Sequence, residues 1–390
     1  MRPLLRMTPI ALAGFIAALS MAHAEDGVSS EKILLGQSAA LTGPSAALGE
    51  GMKVGLEAAI AEVNKAGGIK GRKLELKSVD DGYEPTRSIG AVKKLLNENK
   101  VFSIIGTVGT PTAAAIQPIA SNAGVPLIGA FSGAEFLREP HKPLVMNIRA
   151  SYFQETEAMV EHLTKDLGYT RIGIMYQDDA YGQAGLAGLQ RALEKRKMKL
   201  FGEGTYERNT VAIKGALLSV RKAKPEAVVM IASYKSAAEF IKLARQIKFD
   251  PTFVNVSFVG SDALAKELGS GGEGVVVTQV VPFPLDSKIP VVGRYQAALK
   301  AVAPDAKPGF VSLEGYVVGR TLIASLEKID GEPTRKGLIE AAQKASPIDL
   351  GGLKLSYSAT SNRGSGQVFL TVIQADGSMK AVDKLQKAGM

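Results

Sequence analysis

Strands and helices alternate along most of this chain, which predicts an α/β fold built as two doubly wound parallel-sheet lobes. Three observations carry that expectation. Short apolar runs end at Gly, Asp or Thr turns and lead into helical patterns, with crossovers long enough for parallel pairing. The same grammar begins again at the strand Val145 to Arg149 and continues to Val281. Removing the first 24 of 390 residues leaves 366, more than one comfortable core, so two domains are expected.

Met1 to Ala24 carries Arg2 and Arg6, an apolar run from Pro9 to Met21, and then Ala22-His23-Ala24. A charged start, a short apolar stretch and an A-x-A site read as a cleavable secretory signal, too short to span a membrane. No cysteine follows it, so no lipid anchor is expected, and no later stretch is apolar for long enough to cross a bilayer. The expected product is exported, soluble and not membrane-embedded.

The first series starts with the strand Lys32 to Leu41, a Thr42-Gly43-Pro44 turn, and a helix from Gly49 to Ala66 stopped by Gly67-Gly68. Lys73 to Val79 is a strand ending at Asp80-Asp81-Gly82, and Pro85 to Asn99 is helical. Then comes FSIIGTVGTPTAAA, residues 102–115. Its apolar run reads as a strand, its Gly/Thr/Pro segment as a tight loop, and its alanines as the start of a helix. Thr110 suits the N-cap and Pro111 the first helical position. The free N–H groups at such a helix start favour an anion, and a carboxylate is the expected ligand. A strand from Pro126 to Ala130 closes the series.

The second series runs helix Phe153 to Leu167, strand Arg171 to Tyr176, helix Gly182 to Lys197, strand Leu200 to Tyr206, helix Ala212 to Lys222, and strand Ala227 to Ala232. Helix Ser236 to Ile247, strand Thr252 to Val256, helix Ser261 to Leu268 and strand Gly274 to Val281 complete it. After Pro282-Phe283-Pro284 the pattern changes to helices Val291 to Val302, Ser312 to Lys328 and Thr334 to Lys344, then a β-rich tail from Gly352 to Val382. Ligands of doubly wound sheets bind outside the carboxyl ends of the strands, so two such units imply a cleft between them.

Composition argues against catalysis. There is no cysteine, and only His141 and His162 follow the signal, so thiol nucleophiles, histidine triads and most zinc sites are not expected. Residues 269–274 match G-x-G-x-x-G, but they follow a helix and precede a strand, the reverse of the dinucleotide context. Ser219 and Lys222 give S-x-x-K without its companion motifs. Asp80-Asp81 and Asp178-Asp179 sit at strand ends, where carboxylates cap backbone N–H groups. No cofactor and no metal are expected. Without Arg2 and Arg6 the chain has 45 Lys and Arg against 38 acids, a net charge of +7. Its densest cluster, Glu194 to Lys199, ends a helix, so it reads as a solvated face and not a nucleic-acid patch.

The chain resembles the type I periplasmic solute-binding proteins of ABC transporters, in the leucine/isoleucine/valine-binding protein family. The resemblance is carried by ILLGQSAALTGPSAALGEGMKVGLEAAIAEVNKAGGIKGRKLEL, DDGYEP, IIGTVGTPTAAAIQP, VPLIGAFSGAEFLRE, RIGIMYQDDAYGQAGL and QADGSMKAV. It implies two lobes joined by a three-segment hinge, with crossovers near Asn147, Val281 and Ser356. The N-terminal lobe would hold residues 25–147 and 282–355, and the C-terminal lobe residues 148–281 and 356–390. It further implies a periplasmic monomer that captures a small-molecule ligand by hinge closure and delivers it to a membrane permease. Gly109 would offer its backbone and Thr110 its hydroxyl to the ligand carboxylate, with Ser132 and the Gly133 N–H beside them. Tyr181 and Tyr234 of the other lobe would cover the ligand, with Tyr152 and Glu314 as weaker candidates.

One departure shapes the expected ligand. Where amino-acid binders of the family place an acid to pair the α-ammonium, NVSFVG puts Ser257, and where an aromatic wall is common this chain has Leu48. A buried ammonium without a counter-charge costs several kcal/mol. The expectation is therefore a small carboxylate lacking an α-amino group, aromatic or not, or a neutral amide, unless Asp179 or Glu314 supplies the missing charge. A ligand-sensing receptor module is the alternative from another class, and an exported enzyme the third.

Overall fold

The structure, a computed structural model, describes residues 25–386; the expected signal segment, Met1 to Ala24, lies outside the described residues. The first sheet is assembled from β1 (Lys32–Ala39), α1 (Ala46–Lys65), β2 (Lys73–Asp80), α2 (Pro85–Asn97), β3 (Ser103–Ile105), α3 (Thr110–Asn122), β4 (Leu127–Ile128) and β5 (Val145–Met146). All its pairings are parallel, in the order β2-β1-β3-β4-β5. Val145–Met146 thus closes the first sheet and does not open the second series, because its backbone pairs with Leu127–Ile128.

The second series contributes α4 (Tyr152–Lys165), β6 (Ile172–Gln177), α5 (Ala180–Glu194), β7 (Leu200–Tyr206), α6 (Lys214–Lys222), β8 (Ala227–Ile231), α7 (Tyr234–Gln246), β9 (Thr252–Asn255), α8 (Ser261–Leu268) and β10 (Val276–Gln279). After these come α9 (Pro290–Val302), α10 (Phe310–Leu326), α11 (Arg335–Lys344), β11 (Ile348–Asp349), β12 (Lys354–Ser358), β13 (Ser361–Gly364), β14 (Phe369–Ile373) and β15 (Met379–Val382). The second sheet has the order β15-β14-β10-β9-β8-β6-β7. Its five central and distal strands are parallel, and the last two strands of the chain add antiparallel at one edge. Every residue of β6 and β8 is buried, as expected of strands covered on both faces.

Ser356 lies in a small ribbon of β11, β12 and β13, and β13 still runs beside Asn147, whose N–H donates to the Asn362 carbonyl at 3.0 Å. The chain joins the second sheet only at Phe369. The third passage between the sheets therefore lies between Gly364 and Phe369, several residues beyond the expected Ser356.

The helices after β10 return to the first sheet. α10 is buried around nearly its whole circumference, so it can only be an internal helix. It crosses α1 at backbone contact: a Cβ on Gly55 would strike the Ser312 carbonyl, and one on Gly315 would strike that of Met52. This tight crossing fixes Leu48 and Glu314 relative to each other.

Candidate functional site

The strand order of each sheet reverses once, between β1 and β3 in the first and between β6 and β8 in the second. Crevices open where connections leave in opposite directions. The segments after these strands carry Leu48, Gly109, Thr110, Tyr181 and Tyr234, and the two sets face each other.

On the first sheet, β3 ends in a loop that starts α3 at Thr110, one residue earlier than expected. Gly109 is the N-cap, at φ 108° and ψ 150°, and no side chain caps the helix. That φ favours glycine, and a Cβ here would also meet the ring of Tyr83. Thr110 thereby occupies the first helical turn, where its N–H has no partner within the helix. Its Oγ1 lies 2.7 Å from Ser132 Oγ and 3.4 Å from the Tyr152 hydroxyl. Gly133 is held beside them through its carbonyl, which accepts from Tyr152 N at 2.7 Å. A helix start, two hydroxyls and a phenol converge there, all buried.

From the second sheet, Asp179 caps α5 by accepting from Tyr181 N at 2.9 Å, which points Tyr181 toward the first lobe. The Tyr181 ring lies 5.5 Å from Tyr152 and 4.5 Å from Phe258. Phe258 in turn lies 5.2 Å from Phe131 and 5.9 Å from Tyr83. Tilted pairs at these spacings are favourable. Burial pushes the Tyr83 and Tyr181 phenols well above the usual tyrosine range, so both stay neutral donors. Tyr83 also sits at φ 63°, a left-handed conformation that costs a bulky residue on the order of 1 kcal/mol and is secured here by its N–H on Asp81 Oδ1 at 2.9 Å.

Leu48 and Tyr234 form another side of the cleft. Leu48 rests directly on Gly260, with the Tyr234 ring beside it, so α7 and α8 meet the start of α1 there.

The remaining expected residues, Ser257 and Glu314, are joined by a group that the sequence reading passed over. Arg149 lies three residues beyond the end of β5 and is 1% exposed. Its Nη2 donates to Ser257 Oγ, its Nε lies 3.1 Å from Glu314 Oε1, and its guanidinium stacks 4.5 Å from the Phe131 ring centre. Nε and Nη1 make no hydrogen bond. Ser257 is tied from the other side by Glu155, which accepts from Ser257 N at 2.8 Å, Ser257 Oγ at 3.0 Å and Thr278 Oγ1 at 2.6 Å. Burial pushes the Glu314 carboxyl up to about 7; Arg149 opposes that rise and Glu155 adds to it.

The acids that the sequence offered as a counter-charge are thus both engaged. Asp179 accepts from Arg208 at 2.9 Å and from Gln177 at 2.6 Å, and Glu314 faces Arg149. Asp80 and Asp81 receive backbone N–H groups, and Asp80 is held at about 2: burial raises it, but hydrogen bonds from Thr42, Gly82, Leu41 and Arg87 outweigh that. The residues missed are Arg149, Glu155, Tyr83, Phe131, Phe258 and Thr278. Two signals were present: a charged residue closing the expected strand Val145 to Arg149, and aromatic residues inside the AFSG and NVSFVG segments already singled out.

Comparison with known proteins follows the same lines. The periplasmic binding protein family matches residues 32–378. A crystal structure of a possible leucine/isoleucine/valine-binding protein from Rhodopirellula baltica is similar at 37% identity, covering 93% of this chain and 98% of that one, with a TM-score of 0.86. A substrate-binding periplasmic protein from Ralstonia solanacearum is similar at 27% identity over 90% of this chain and 100% of that one, with a TM-score of 0.85. The Leu/Ile/Val-binding protein homolog 3 of Brucella melitensis is 25% identical, over 92% of this chain and 94% of its own length.

Proposed function

The chain belongs to the periplasmic binding protein family, and from that premise we propose that it captures a small carboxylic acid lacking an α-amino group between its two lobes and hands it to an ABC transporter permease. In this reading the lobes meet at three crossovers, the protein acts as a periplasmic monomer, and closure of the hinge buries the ligand. The ligand carboxylate takes the Thr110 N–H and hydroxyl, Ser132 Oγ and the Gly133 N–H, while Tyr152 and Tyr181 cover it.

The observation that carries the choice of ligand is the Arg149 guanidinium on Ser257. Where an α-ammonium would need a carboxylate, the cleft presents a fixed cation that Glu314 Oε1 faces at 3.1 Å. A second cation there meets the Arg149 charge, and both nearby acids are already engaged, Glu314 by Arg149 and Glu155 by Ser257 and Thr278. Neutral acids and carboxylates escape that cost.

Thermal-shift screening followed by calorimetry tests it, with simple aliphatic and aromatic acids set against the common amino acids. Organic acids are expected to raise the melting temperature and leucine and valine to leave it unmoved. Tight binding of leucine or valine with none of the acids overturns the reading.

A further inference from the structure

Arg149 has more donors than the protein uses. Of the guanidinium's N–H groups, one on Nη2 is engaged with Ser257 and Nε faces Glu314 Oε1 at 3.1 Å without hydrogen-bond alignment, while Nη1 has no partner although the residue is 1% exposed. Buried donors left unmade are costly, and native proteins rarely keep them without a reason. The group is also held in place on three sides, by the Phe131 ring, by Ser257 and by Glu314. It is anchored from behind as well, because the Arg149 carbonyl accepts from Arg138 Nη2 at 2.9 Å. A rigid planar fork with free donors, set against an aromatic shelf in a cleft, is built to receive an acceptor.

We propose that Arg149 is a ligand-contacting, specificity-determining residue whose free N–H groups take an oxygen on the ligand's α-carbon, so that the preferred solute is a 2-oxo acid. The inference rests on the carboxylic-acid reading above and deepens it. Arg149 stacks on Phe131, the residue before Ser132, whose Oγ lies 2.7 Å from Thr110 Oγ1, and it is bonded to Ser257, so the guanidinium stands beside the carbon next to a carboxylate seated at Thr110. A neutral carbonyl oxygen suits this place better than a second carboxylate. Arg149 already faces Glu314, and Glu155 lies just beyond Ser257, so another full negative charge would enter between two carboxyl groups. A carbonyl accepts hydrogen bonds without adding charge, and a protonated amine cannot accept any.

Calorimetry on the full chain, freed of bound solute by unfolding and refolding, tests this with matched probes. The branched set is 4-methyl-2-oxopentanoate, 4-methylpentanoate and leucine, and the aromatic set is phenylpyruvate, 3-phenylpropanoate and phenylalanine. In the skeleton that fits, the 2-oxo acid is expected to bind about ten- to a hundredfold tighter than the unsubstituted acid, the range of one hydrogen bond to a charged donor. The amino acid is expected to bind weakest. Arg149→Met is expected to erase the gap between oxo and unsubstituted acid while both still bind, and Arg149→Lys to reduce it. Equal affinity of the two acids for the native protein overturns the proposal whether or not the variants fold, and so does a gap that survives in Arg149→Met. If the amino acid binds tightest, the carboxylic-acid reading falls with it. Binding by none of the six overturns this proposal alone and leaves that reading to the thermal-shift screen.

Discussion

The two halves of the cleft are made by different means. The half around Thr110 uses a helix start, backbone N–H groups and hydroxyls, and nearly all of it comes from two short loops, residues 106–112 and 131–133. The half around Arg149 uses three full charges, Arg149, Glu155 and Glu314, tied together through Ser257 and Thr278, so it is drawn from five places in the chain. Neutral dipoles tolerate burial, and losing one leaves little behind. Buried charges depend on one another, so the second half is expected to be the fragile one.

Glu314→Leu is the strongest way to break that comparison. It strands the Arg149 guanidinium in the interior and is expected to cost about 3–5 kcal/mol in chemical denaturation, most of it restored in the double variant Arg149→Met with Glu314→Leu. A single variant as stable as the parent would show that the charges do not need each other.

The same pair predicts a pH effect. Glu314 is raised from 4.5 to about 7 by burial, against Arg149 and Arg138 and with Glu155. The folded protein therefore binds this proton more tightly than the unfolded chain does. Its contribution is full below pH 4.5 and is lost as the pH rises through about 7, on the order of 3 kcal/mol in all. Denaturation midpoints followed between pH 4.5 and 8 in the parent and in Glu314→Gln isolate it, since the variant is expected to lack this slope.

The Thr110 half should respond more mildly. Thr110→Val removes one hydroxyl and leaves Ser132 the Ala134 N–H at 3.3 Å, so stability is expected to fall by only about 1 kcal/mol and carboxylate affinity by about tenfold. Calorimetry and melting on one preparation read both. The smallest effect is expected at the rim, where Tyr234→Phe removes one largely buried hydroxyl and should weaken ligand binding by less than about 1 kcal/mol.

The same contrast explains what could be read from the sequence. Strand, glycine turn and helix start are neighbours in the chain, so FSIIGTVGTPTAAA announces the Thr110 loop, and alternating elements announce two α/β lobes. Even there the helix begins one residue early, because Gly109 adopts a φ that Thr110 would not. Sheet membership is a matter of pairing partners, which no local pattern reveals; hence Val145–Met146 falls in the first sheet and the third crossing comes after Gly364. Arg149 and Glu314 are separated by most of the second lobe, and nothing in either neighbourhood points to the other. Ser257 could be recognised as a departure from amino-acid binders, but not what stands behind it.

The measurement that bears most directly on the central claim is mass spectrometry of the small molecule that co-purifies with the protein under native conditions. A carboxylic acid without an amino group is the predicted result. Recovery of a branched-chain amino acid, bound stoichiometrically, would contradict it.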